Sequence, residues 1–561
     1  MSEKKPETKK DGLEVTYRIP VERFQYEDEL LVENRKLRTR TNRQKIWLIA
    51  LPLAALLIGW CFSAFVPTPF SNQIRQGVTF VTQQNADTKL GNIQKVMQNY
   101  WYFAKDIENL GERLTDQAAV GMTTNEEDPH TQYMSKEEIE SFTQSINRNF
   151  VGIGVQFQSQ DNGLNLITRV FRDSPAERAG VQAGDIIHSV DGTVVDNMSA
   201  TEIKELVQGE IGTDVTMVFL REGEYITLDI TRGEIGHTVD GDITEEGFGL
   251  IHLEQFGETT ASEVDSYLAE FADNGVTGLI IDLRDNGGGY LEALQGVISK
   301  FLPANMIFIQ RDYANGIENN SKTSGGMYEA FSPIVILVNE NTASASEAFT
   351  MALKEQRDDV TIVGETTYGK GSVQITQYYK DGSALKYTDS IWKSPKGVWI
   401  NGVGIEPDET VSLHPVLSTF YESMEEGDSY AFDSVSTFVA EAQQCLDFLG
   451  YKPGRTDGYF DRATETSLRA FQKEAGQEET GILDQSVYEA LVSAVVRKWS
   501  TDKTCDTQYQ KAIEILSSAQ ADPAGTPDSD EKPSAAINGN VILFEETVQT
   551  LRTEEIGYGT L

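Results

Sequence analysis

The chain has 561 residues, enough for several domains, and it is strongly acidic, with 87 Asp and Glu against 47 Lys and Arg and a formal net charge of −40. This charge disfavours nucleic acid as a partner, because binding to phosphates requires a basic surface. The cysteines (Cys61, Cys445 and Cys505) are too few for a disulfide framework, and the sequence leaves a Cys445–Cys505 disulfide undecided. No His-Glu-x-x-His or Cys-x-x-Cys motif supports a metal site, and no cofactor is expected.

The N-terminal part has the pattern of a membrane anchor. Residues 1–45 are polar and end in a basic run, whereas residues 46–66 contain no charged side chain and are long enough to span a bilayer. A basic flank stays in the cytoplasm, so the chain after residue 66 is expected to lie outside the cell membrane, in a single-pass protein. A cleaved signal peptide is the alternative, and the long polar segment in front of the apolar stretch disfavours it.

A helical arm is predicted over residues 75–147, because residues 85–113 and 136–147 have helical patterning. At Phe150 the pattern changes to short strands, which continue through a domain predicted over residues 148–235. In that domain a Ser-Pro-Ala…Gly-Asp…Val-x-Gly pattern follows the first strands. These features resemble a PDZ domain.

The PDZ resemblance implies a groove in which a peptide tail is added to the sheet as an extra strand. The carboxylate of the tail would be held by backbone N–H groups of the loop Gly152, Ile153, Gly154 and Val155. A helix is predicted over residues 199–208, and its side chains are candidates for the apolar pocket of the tail: Ile203, Leu206 and Val207. Residues of this kind are more often simply core.

Residues 236–415 give the strongest indication of chemistry. Two continuous apolar runs, Pro333–Val338 and Val360–Val363, have the pattern of buried strands, and they are followed by Ser344 and Lys370. Catalytic groups gather at strand ends in open α/β sheets, so this pair suggests a serine nucleophile with a lysine base. The lysine accepts a proton only when it is neutral, a state that burial beside apolar groups favours.

Each half of this site also has a simpler interpretation. Ser344 and Glu347 have the spacing of a capping box at a helix start, and Lys370 lies between glycines as in an exposed turn. A serine hydrolase further needs donors for an oxyanion, and the N–H of Ala345 at the helix start is one candidate. The triple-glycine turn that contains Gly288 is the other, with an ordinary strand-to-helix turn as its alternative.

Several motifs together resemble the C-terminal processing peptidases, also called tail-specific proteases. The matching segments are Asp128–Tyr133, Asp282–Gly289, Thr342–Glu347, Gly364–Gln374 and Gly402–Asp408. The resemblance covers roughly residues 75 to 415, and it implies Ser344 as nucleophile, Lys370 as general base and Gln374 as the residue that orients the lysine. It also makes a homodimer through the terminal helices an expectation. A weaker alternative is a Ser-His hydrolase that uses His252.

Beyond the catalytic domain we expect an acidic linker over residues 416–434 and a small helical domain over residues 435–496. Three helical segments, with Gly454, Asp457 and Gly458 between the first two, resemble the three-helix peptidoglycan-binding domain of cell-wall hydrolases. The resemblance implies peptidoglycan as a ligand, and a helical interaction module without wall binding is the alternative. Residues 497–561 are predicted to be a tail that is partly disordered, because Ser517–Asn540 is rich in Ala, Pro, Asp and Ser.

The predicted fold class is multidomain α+β, with a transmembrane helix, a helical arm, a PDZ barrel or sandwich, an α/β protease core and a three-helix domain. Two functions of different classes fit this organisation. The first is a membrane-anchored, extracytoplasmic serine endopeptidase that recognises proteins or peptides with apolar C-terminal tails. The second is a catalytically silent scaffold that binds tails and cell wall. Intact Ser344, Lys370 and Gln374 favour the first.

Overall fold

A computed structural model describes residues 88–521, except positions 149, 160–163, 196–197, 327, 329, 420 and 425–426, and the backbone of residues 558–560. Contacts divide the chain into two units, residues 1–114 and residues 115–561. Within the described ranges, no helix combines the length and the apolar character needed to cross a bilayer. The predicted cytoplasmic segment 1–45 and transmembrane helix 46–66 lie outside those ranges.

The described part of the first unit is helical. Helix α1 is Lys89–Tyr100, a 3₁₀ turn covers Tyr102–Asp106, and helix α2, Leu110–Thr123, begins in this unit. Thr88 starts α1 by accepting a hydrogen bond from the N–H of Gly91 at 3.2 Å. None of the residues of α1 is buried. The helices confirm the helical patterning that the sequence shows here.

After the end of α2, the second unit continues with the short strand β1, Gln132–Met134, and helix α3, Lys136–Asn147. Ser135 and Glu138 form a capping box at the start of α3, in which each side chain accepts from the backbone N–H of the other residue. Strand β1 extends a sheet of the catalytic domain, because it pairs antiparallel with residues 384–386. The second part of the predicted arm is therefore integrated into the catalytic domain.

The predicted PDZ domain has one main sheet packed on a single apolar core. Its elements are β2 Phe150–Gly152, β3 Val155–Gln158, β4 Leu166–Val170, α4 Pro175–Ala179, β5 Ile186–Val190, β6 Thr193–Val194, α5 Ala200–Val207, β7 Asp214–Arg221, β8 Glu224–Thr231 and β9 Gly233–Ile235. The main sheet has the order β3-β4-β5-β7-β8, β6 pairs with β5, and β2 pairs separately with β9. Alternating side chains of β7 (Val215, Met217 and Phe219) are completely buried in the core, as expected for a strand with one buried face.

The catalytic domain contains two sheets. Its elements are β10 Val239–Ile243, β11 Gly249–Leu253, α6 Thr260–Asp273, β12 Leu279–Asp282, α7 Leu291–Ile298, β13 Ile307–Tyr313, β14 Glu318–Lys322, β15 Ile334–Val338, α8 Ala345–Gln356, β16 Val360–Gly364, β17 Ser372–Tyr378, β18 Ala384–Lys393 and β19 Glu409–Thr410. The first sheet has the order β10-β11-β12-β15-β16-β19 and is parallel from β11 onward. The second has the order β1-β18-β13-β14, with β17 also on β18.

Every residue of β12 and β15 is buried, which confirms the prediction of a fully buried strand at 334–338. Such strands are covered on both faces, and successive side chains therefore enter different cores. Ile336 packs in the main core with α6, α7 and α8, whereas its neighbours Val335 and Leu337 enter a second core. The carboxyl ends of β12 and β15 lead directly into the segments that contain Gly288 and Ser344.

The C-terminal region forms the predicted three-helix domain and continues beyond it. Its elements are β20 Ser429–Tyr430, α9 Thr437–Leu449, α10 Arg462–Glu474, β21 Leu483–Asp484, α11 Gln485–Thr501, a 3₁₀ turn at Lys503–Cys505, α12 Thr507–Ala521 and β22 Tyr558–Thr560. The core of the three helices includes Leu166 and Ile186 of the PDZ domain, so the two domains share a packed interface. Cys445 and Cys505 are both free thiols.

The structure differs from the sequence prediction after residue 496. Helix α11 runs through the predicted boundary to Thr501, and α12 is part of the catalytic domain rather than of a tail. The side chains of Ala512 and Leu516 are completely buried against the outer face of the parallel sheet. The physical reason is that this face of a parallel sheet must be covered by a helix, and none of the earlier helices that the structure describes packs in this second core.

Candidate active site

Ser344 occupies the turn between β15 and α8, in a strained backbone conformation. It is the N-cap residue of α8 and has φ 56° and ψ −112°, a combination that is unfavourable for a residue with a Cβ. Backbone strain of this kind persists only when the surroundings enforce it, and it is concentrated at functional sites. The strand-to-helix turn therefore presents Ser344 in a way that a simple helix cap does not require.

The triple-glycine turn lies directly against this serine. A Cβ atom added to Gly288 would lie 2.9 Å from each of Ala343 O, Ala345 N and Ser344 Cβ, and Gly288 has φ 101°. Only glycine allows such a close approach. The N–H of Gly288 donates to Asn286 Oδ1 at 2.9 Å, and the Asn286 carbonyl accepts from the N–H of Ala343 at 3.0 Å. The sequence-predicted Gly288 and Ala345 are thus brought together, with the Gly288 N–H engaged by Asn286.

Glu347 joins the serine turn to the lysine segment. Its side chain is completely buried, and one oxygen, Oε2, accepts from the backbone N–H groups of both Ser344 and Lys370 at 2.8 Å. The other oxygen, Oε1, accepts from the N–H of Gly369 at 2.7 Å and from Thr367 Oγ1 at 2.5 Å. A buried carboxylate needs this degree of hydrogen bonding to be tolerated. The sequence predicts only the capping role of Glu347, because its partners around residue 370 are distant in the chain.

Lys370 is half-buried in the loop before β17. The indole N–H of Trp392 donates to its carbonyl at 2.8 Å and thereby fixes the backbone. Burial lowers the pKa of Lys370, and the nearby positive charge of Lys386 lowers it further, while Asp128 and Glu347 act in the opposite direction. A lowered pKa increases the neutral fraction that a general base requires. Among the described residues, no hydrogen bond joins Lys370 Nζ to Ser344 Oγ, a contact that often forms only with substrate bound.

Gln374 lies on β17 and belongs to a polar chain that reaches the arm. Its amide nitrogen donates to Ser372 Oγ at 2.9 Å and to Thr388 Oγ1 at 3.0 Å. Thr388 Oγ1 in turn donates to Asp128 Oδ1 at 3.1 Å. Within the described ranges, no hydrogen bond connects the side chains of Gln374 and Lys370. The segment Asp128–Tyr133 thus contacts the catalytic domain close to the lysine, a role that the motif match did not reveal.

The imidazole of His252 contacts charged side chains of the PDZ and catalytic domains. Its Nδ1 lies 3.5 Å from Asp282 Oδ2, and its Nε2 lies 3.0 Å from Glu254 Oε1 and 3.1 Å from Arg169 Nη1. Burial lowers the pKa of the imidazole, and the positive charge of Arg169 adds to this effect. Both ring nitrogens are thus engaged within an ionic cluster between the PDZ and catalytic domains, which argues against the Ser-His alternative.

The predicted tail-binding residues lie on the expected elements of the PDZ domain. Gly152–Val155 connects β2 to β3, and Gly154 has φ 84°, with no room for a Cβ because Ser174 Cβ would be 2.3 Å away. On α5, the side chains of Ile203 and Val207 are completely buried in the domain core, whereas Leu206 is half-buried. Ile203 and Val207 are buried as core residues are, so the assignment of these side chains to the tail-binding pocket stays a prediction.

Comparison with known proteins identifies the domains. The model of peptidase family S41 matches residues 247–411, the PDZ model matches residues 166–221, and the model of a peptidoglycan binding domain matches residues 436–491. The carboxy-terminal processing protease CtpA of Bacillus subtilis is 32% identical over 81% of this chain and 96% of its own length. A Staphylococcus haemolyticus protein named "Probable CtpA-like serine protease" is 30% identical over 86% of this chain and 96% of its own.

The chain belongs to the carboxy-terminal processing proteases of family S41. It is therefore a serine-type protease with a PDZ domain and a peptidoglycan-binding-type domain, as the motifs predicted, and the scaffold alternative is not supported. A solved structure titled as a photosystem II D1 C-terminal processing protease aligns with 58% of this chain and 92% of its own, at 25% identity and a TM-score of 0.37. The multidomain α+β class is confirmed, while the exact domain boundaries stay predictions.

Proposed function

We propose that this family S41 protease cleaves peptide bonds with Ser344 as nucleophile and Lys370 as general base. The observation that carries the proposal is the shared carboxylate oxygen of Glu347, which accepts from the backbone N–H groups of both residues at 2.8 Å. A single buried atom thereby fixes the two backbones relative to each other. Catalysis by a serine and a lysine depends on such fixed positions, because the proton must move over one hydrogen bond.

In the proposed reaction, neutral Lys370 takes the proton of Ser344 Oγ as this oxygen attacks the substrate carbonyl. The negative charge that develops on the carbonyl oxygen is stabilised by the N–H of Ala345 at the start of α8. The N–H of Gly288 is the second donor, and it exchanges Asn286 Oδ1 for the substrate oxygen. Protonated Lys370 then gives its proton to the leaving amine, and a water that it deprotonates hydrolyses the acyl-enzyme. Gln374 orients the lysine from β17.

The flanking parts determine where and on what the protease acts. We propose that the groove between β3 and α5 captures proteins and peptides with apolar C-terminal tails, using the N–H groups of Gly152–Val155. The uncharged stretch 46–66 is proposed as a single membrane anchor that places the catalytic domain outside the cytoplasm. Peptidoglycan is the proposed ligand of the three-helix domain, and a homodimer remains a proposal that light scattering of the detergent-solubilised chain would test.

The dyad is tested by assaying the full chain in detergent on an unfolded protein and on peptides with apolar free C-termini. The wild type is expected to cleave, and Ser344→Ala and Lys370→Ala are expected to lose activity by several orders of magnitude. Lys380→Ala, in an exposed turn, is the matched control and should cleave as the wild type does. Cleavage that survives Lys370→Ala would eliminate the lysine as general base.

A further inference from the structure

The outer strand of the PDZ sheet is already paired with another part of the same chain. Strand β22 runs antiparallel to β3, with Tyr558 opposite Gln158 and Thr560 opposite Gln156. Without β22, β3 would be the edge of the sheet. Edge strands expose unpaired N–H and C=O groups and readily accept an extended peptide, which is the mode of binding expected for a substrate tail.

The position of β22 is that of a tail in the groove. It is in contact with β3 on one side and with α5 on the other. Because the register pairs Thr560 with Gln156, the direction of β22 carries the chain toward Val155 and the loop Gly152–Val155. A substrate tail that adds to β3 would need the same backbone groups. The two segments therefore exclude each other.

We propose that the segment Tyr558–Thr560 is an internal ligand of the PDZ groove, which the tail of a substrate must displace. This inference rests on the proposed recognition of tails by the PDZ domain. The residues between Ala521 and Tyr558 can extend over on the order of 100 Å, so reach does not limit the contact.

An internal ligand competes with substrate tails for the PDZ groove and lowers their apparent affinity. A segment tethered to its own groove acts at an effective concentration of roughly millimolar. Even weak self-binding then occupies most of the groove, and the apparent affinity for a substrate tail falls in proportion to the fraction of free groove. Substrates with weakly binding tails are thereby rejected, and strongly binding tails open the groove. The segment sets a threshold for recognition without contacting Ser344 or Lys370.

Hydrogen exchange at the amides of residues 156–158 tests whether β22 forms. The full chain in detergent is compared with a chain that ends at Asn540 and with Gly559→Pro and Thr560→Pro, measured separately because alternate N–H groups face the partner strand. Exchange is expected to be faster in the shortened chain and in at least one proline variant. Thr550→Pro, outside the paired residues, is the control and should exchange as the wild type does. Equal protection in every form would overturn the proposal.

A binding measurement separates this proposal from the proposed function. A fluorescent peptide with an apolar free C-terminus is titrated into the full and shortened chains, both carrying Ser344→Ala to prevent cleavage. We expect the shortened chain to bind at least about tenfold more tightly.

Equal binding by both chains would overturn the internal ligand and leave tail recognition intact. No binding by either would refute tail recognition, and the internal ligand with it. An affinity of the full chain that weakens as its own concentration rises would assign β22 to a second copy and overturn the intramolecular proposal.

Discussion

At the scale of single residues, Glu347 joins the two halves of the candidate site. A carboxylate with no exposed surface accepts four hydrogen bonds, from Ser344, Thr367, Gly369 and Lys370. The sequence reveals only the bond to Ser344, because a capping box is a local pattern with fixed spacing. The bonds to the lysine segment depend on β15 and β16 lying side by side, which is a property of the tertiary fold.

The variant Glu347→Gln tests this positioning role. The carboxylate accepts hydrogen bonds on two oxygens, whereas an amide has one acceptor oxygen and one NH₂ group, which is a donor. In the variant the NH₂ group would therefore face two N–H or O–H donors that now bond to the carboxylate. We expect a loss of about 1–3 kcal/mol in the free energy of unfolding from the unsatisfied buried groups. We also expect kcat to fall on the order of 100-fold with KM little changed, because the serine and the lysine are no longer held in fixed positions relative to each other.

Steady-state kinetics and thermal unfolding check this prediction, with Glu292→Gln, an exposed glutamate in the first turn of α7, as the control. A loss of stability with unchanged kcat would show that Glu347 only holds the fold. A fall in kcat without a change in KM is the signature that a purely structural role would not produce.

Lys370 is expected to lower the stability of the folded protein. Because its pKa is lowered in the folded state, the folded chain binds fewer protons at this site than the unfolded chain over the range between the folded pKa and 10.5. Stability therefore rises with pH across that range, and the full penalty is present below the folded pKa. Lys370→Met removes the penalty, so this inactive variant should have a Tm on the order of a few degrees higher at pH 7.

The difference in Tm between Lys370→Met and the wild type should shrink as the pH is raised toward 10.5, since the lysine side chain then becomes increasingly neutral in the unfolded as well as in the folded chain. Thermal unfolding followed by circular dichroism at a series of pH values measures this. Lys380→Met, in the exposed turn after β17, serves as the control and is expected to leave Tm unchanged at every pH. A Lys370→Met variant that is less stable than the wild type at pH 7 would contradict the burial of an unpaired lysine.

At the scale of elements, the strands were easier to predict than the helices that cover them. The runs at 334–338 and 360–364 are mostly apolar, so local sequence alone predicts that they are buried strands. Helix α12 was missed although Tyr509, Ala512, Ile513 and Leu516 have helical spacing, because the adjacent stretch rich in Ala, Pro, Asp and Ser suggested a tail. Nothing in those residues tells which distant sheet they cover.

Leu516→Ala tests the contribution of α12 to the catalytic domain. The Leu516 side chain is completely buried in the second core with Phe248, Ile280 and Val335. Its truncation leaves a cavity and is expected to cost about 2–5 kcal/mol. Urea unfolding monitored by tryptophan fluorescence measures the loss. Ser517→Ala, on the exposed side of the same helix, should change stability by less than about 0.5 kcal/mol. Equal effects of the two variants would mean that α12 does not stabilise the sheet.

At the scale of the whole molecule, the described domains of the second unit are joined by packed contacts rather than by linkers alone. Leu166 and Ile186 of the PDZ domain belong to the same core cluster as helices α9 and α11. Within the catalytic domain, Arg284 connects the turn after β12 to the start of α12 through Asp506, at 2.9 Å. The domain order was readable from motifs, but these contacts were not, because no local pattern encodes which distant residue a side chain will pack against or pair with.

Two glycines of the PDZ domain allow the interface with the three-helix domain to be tested. Gly184 has φ 91°, and an added Cβ would lie 2.6 Å from Ser493 O in α11. Gly180 has a similar φ of 88° with no atom within 4 Å of an added Cβ. Both alanine variants carry the same backbone strain, so we expect Gly184→Ala to lose about 1–3 kcal/mol more than Gly180→Ala because of the clash alone.

Calorimetry and limited proteolysis of the full chain distinguish these variants. Gly184→Ala should separate the unfolding of the three-helix domain from that of the PDZ domain and expose the region near Ser493 to protease, whereas Gly180→Ala should keep a single transition. Indistinguishable profiles for the two variants would show that the contact does not couple the domains.

The position of α12 in the chain also has a consequence for biogenesis. Among the described residues, α12 is the helix that covers one face of the parallel sheet in the second core, and residues 411–506 separate it from the last strand of that sheet. A ribosome delivers the peptidase strands long before it delivers Leu516. The catalytic domain therefore stays incomplete during synthesis until the three-helix domain has also been made. We therefore expect a newly made chain to gain its activity only after its C-terminal region has emerged.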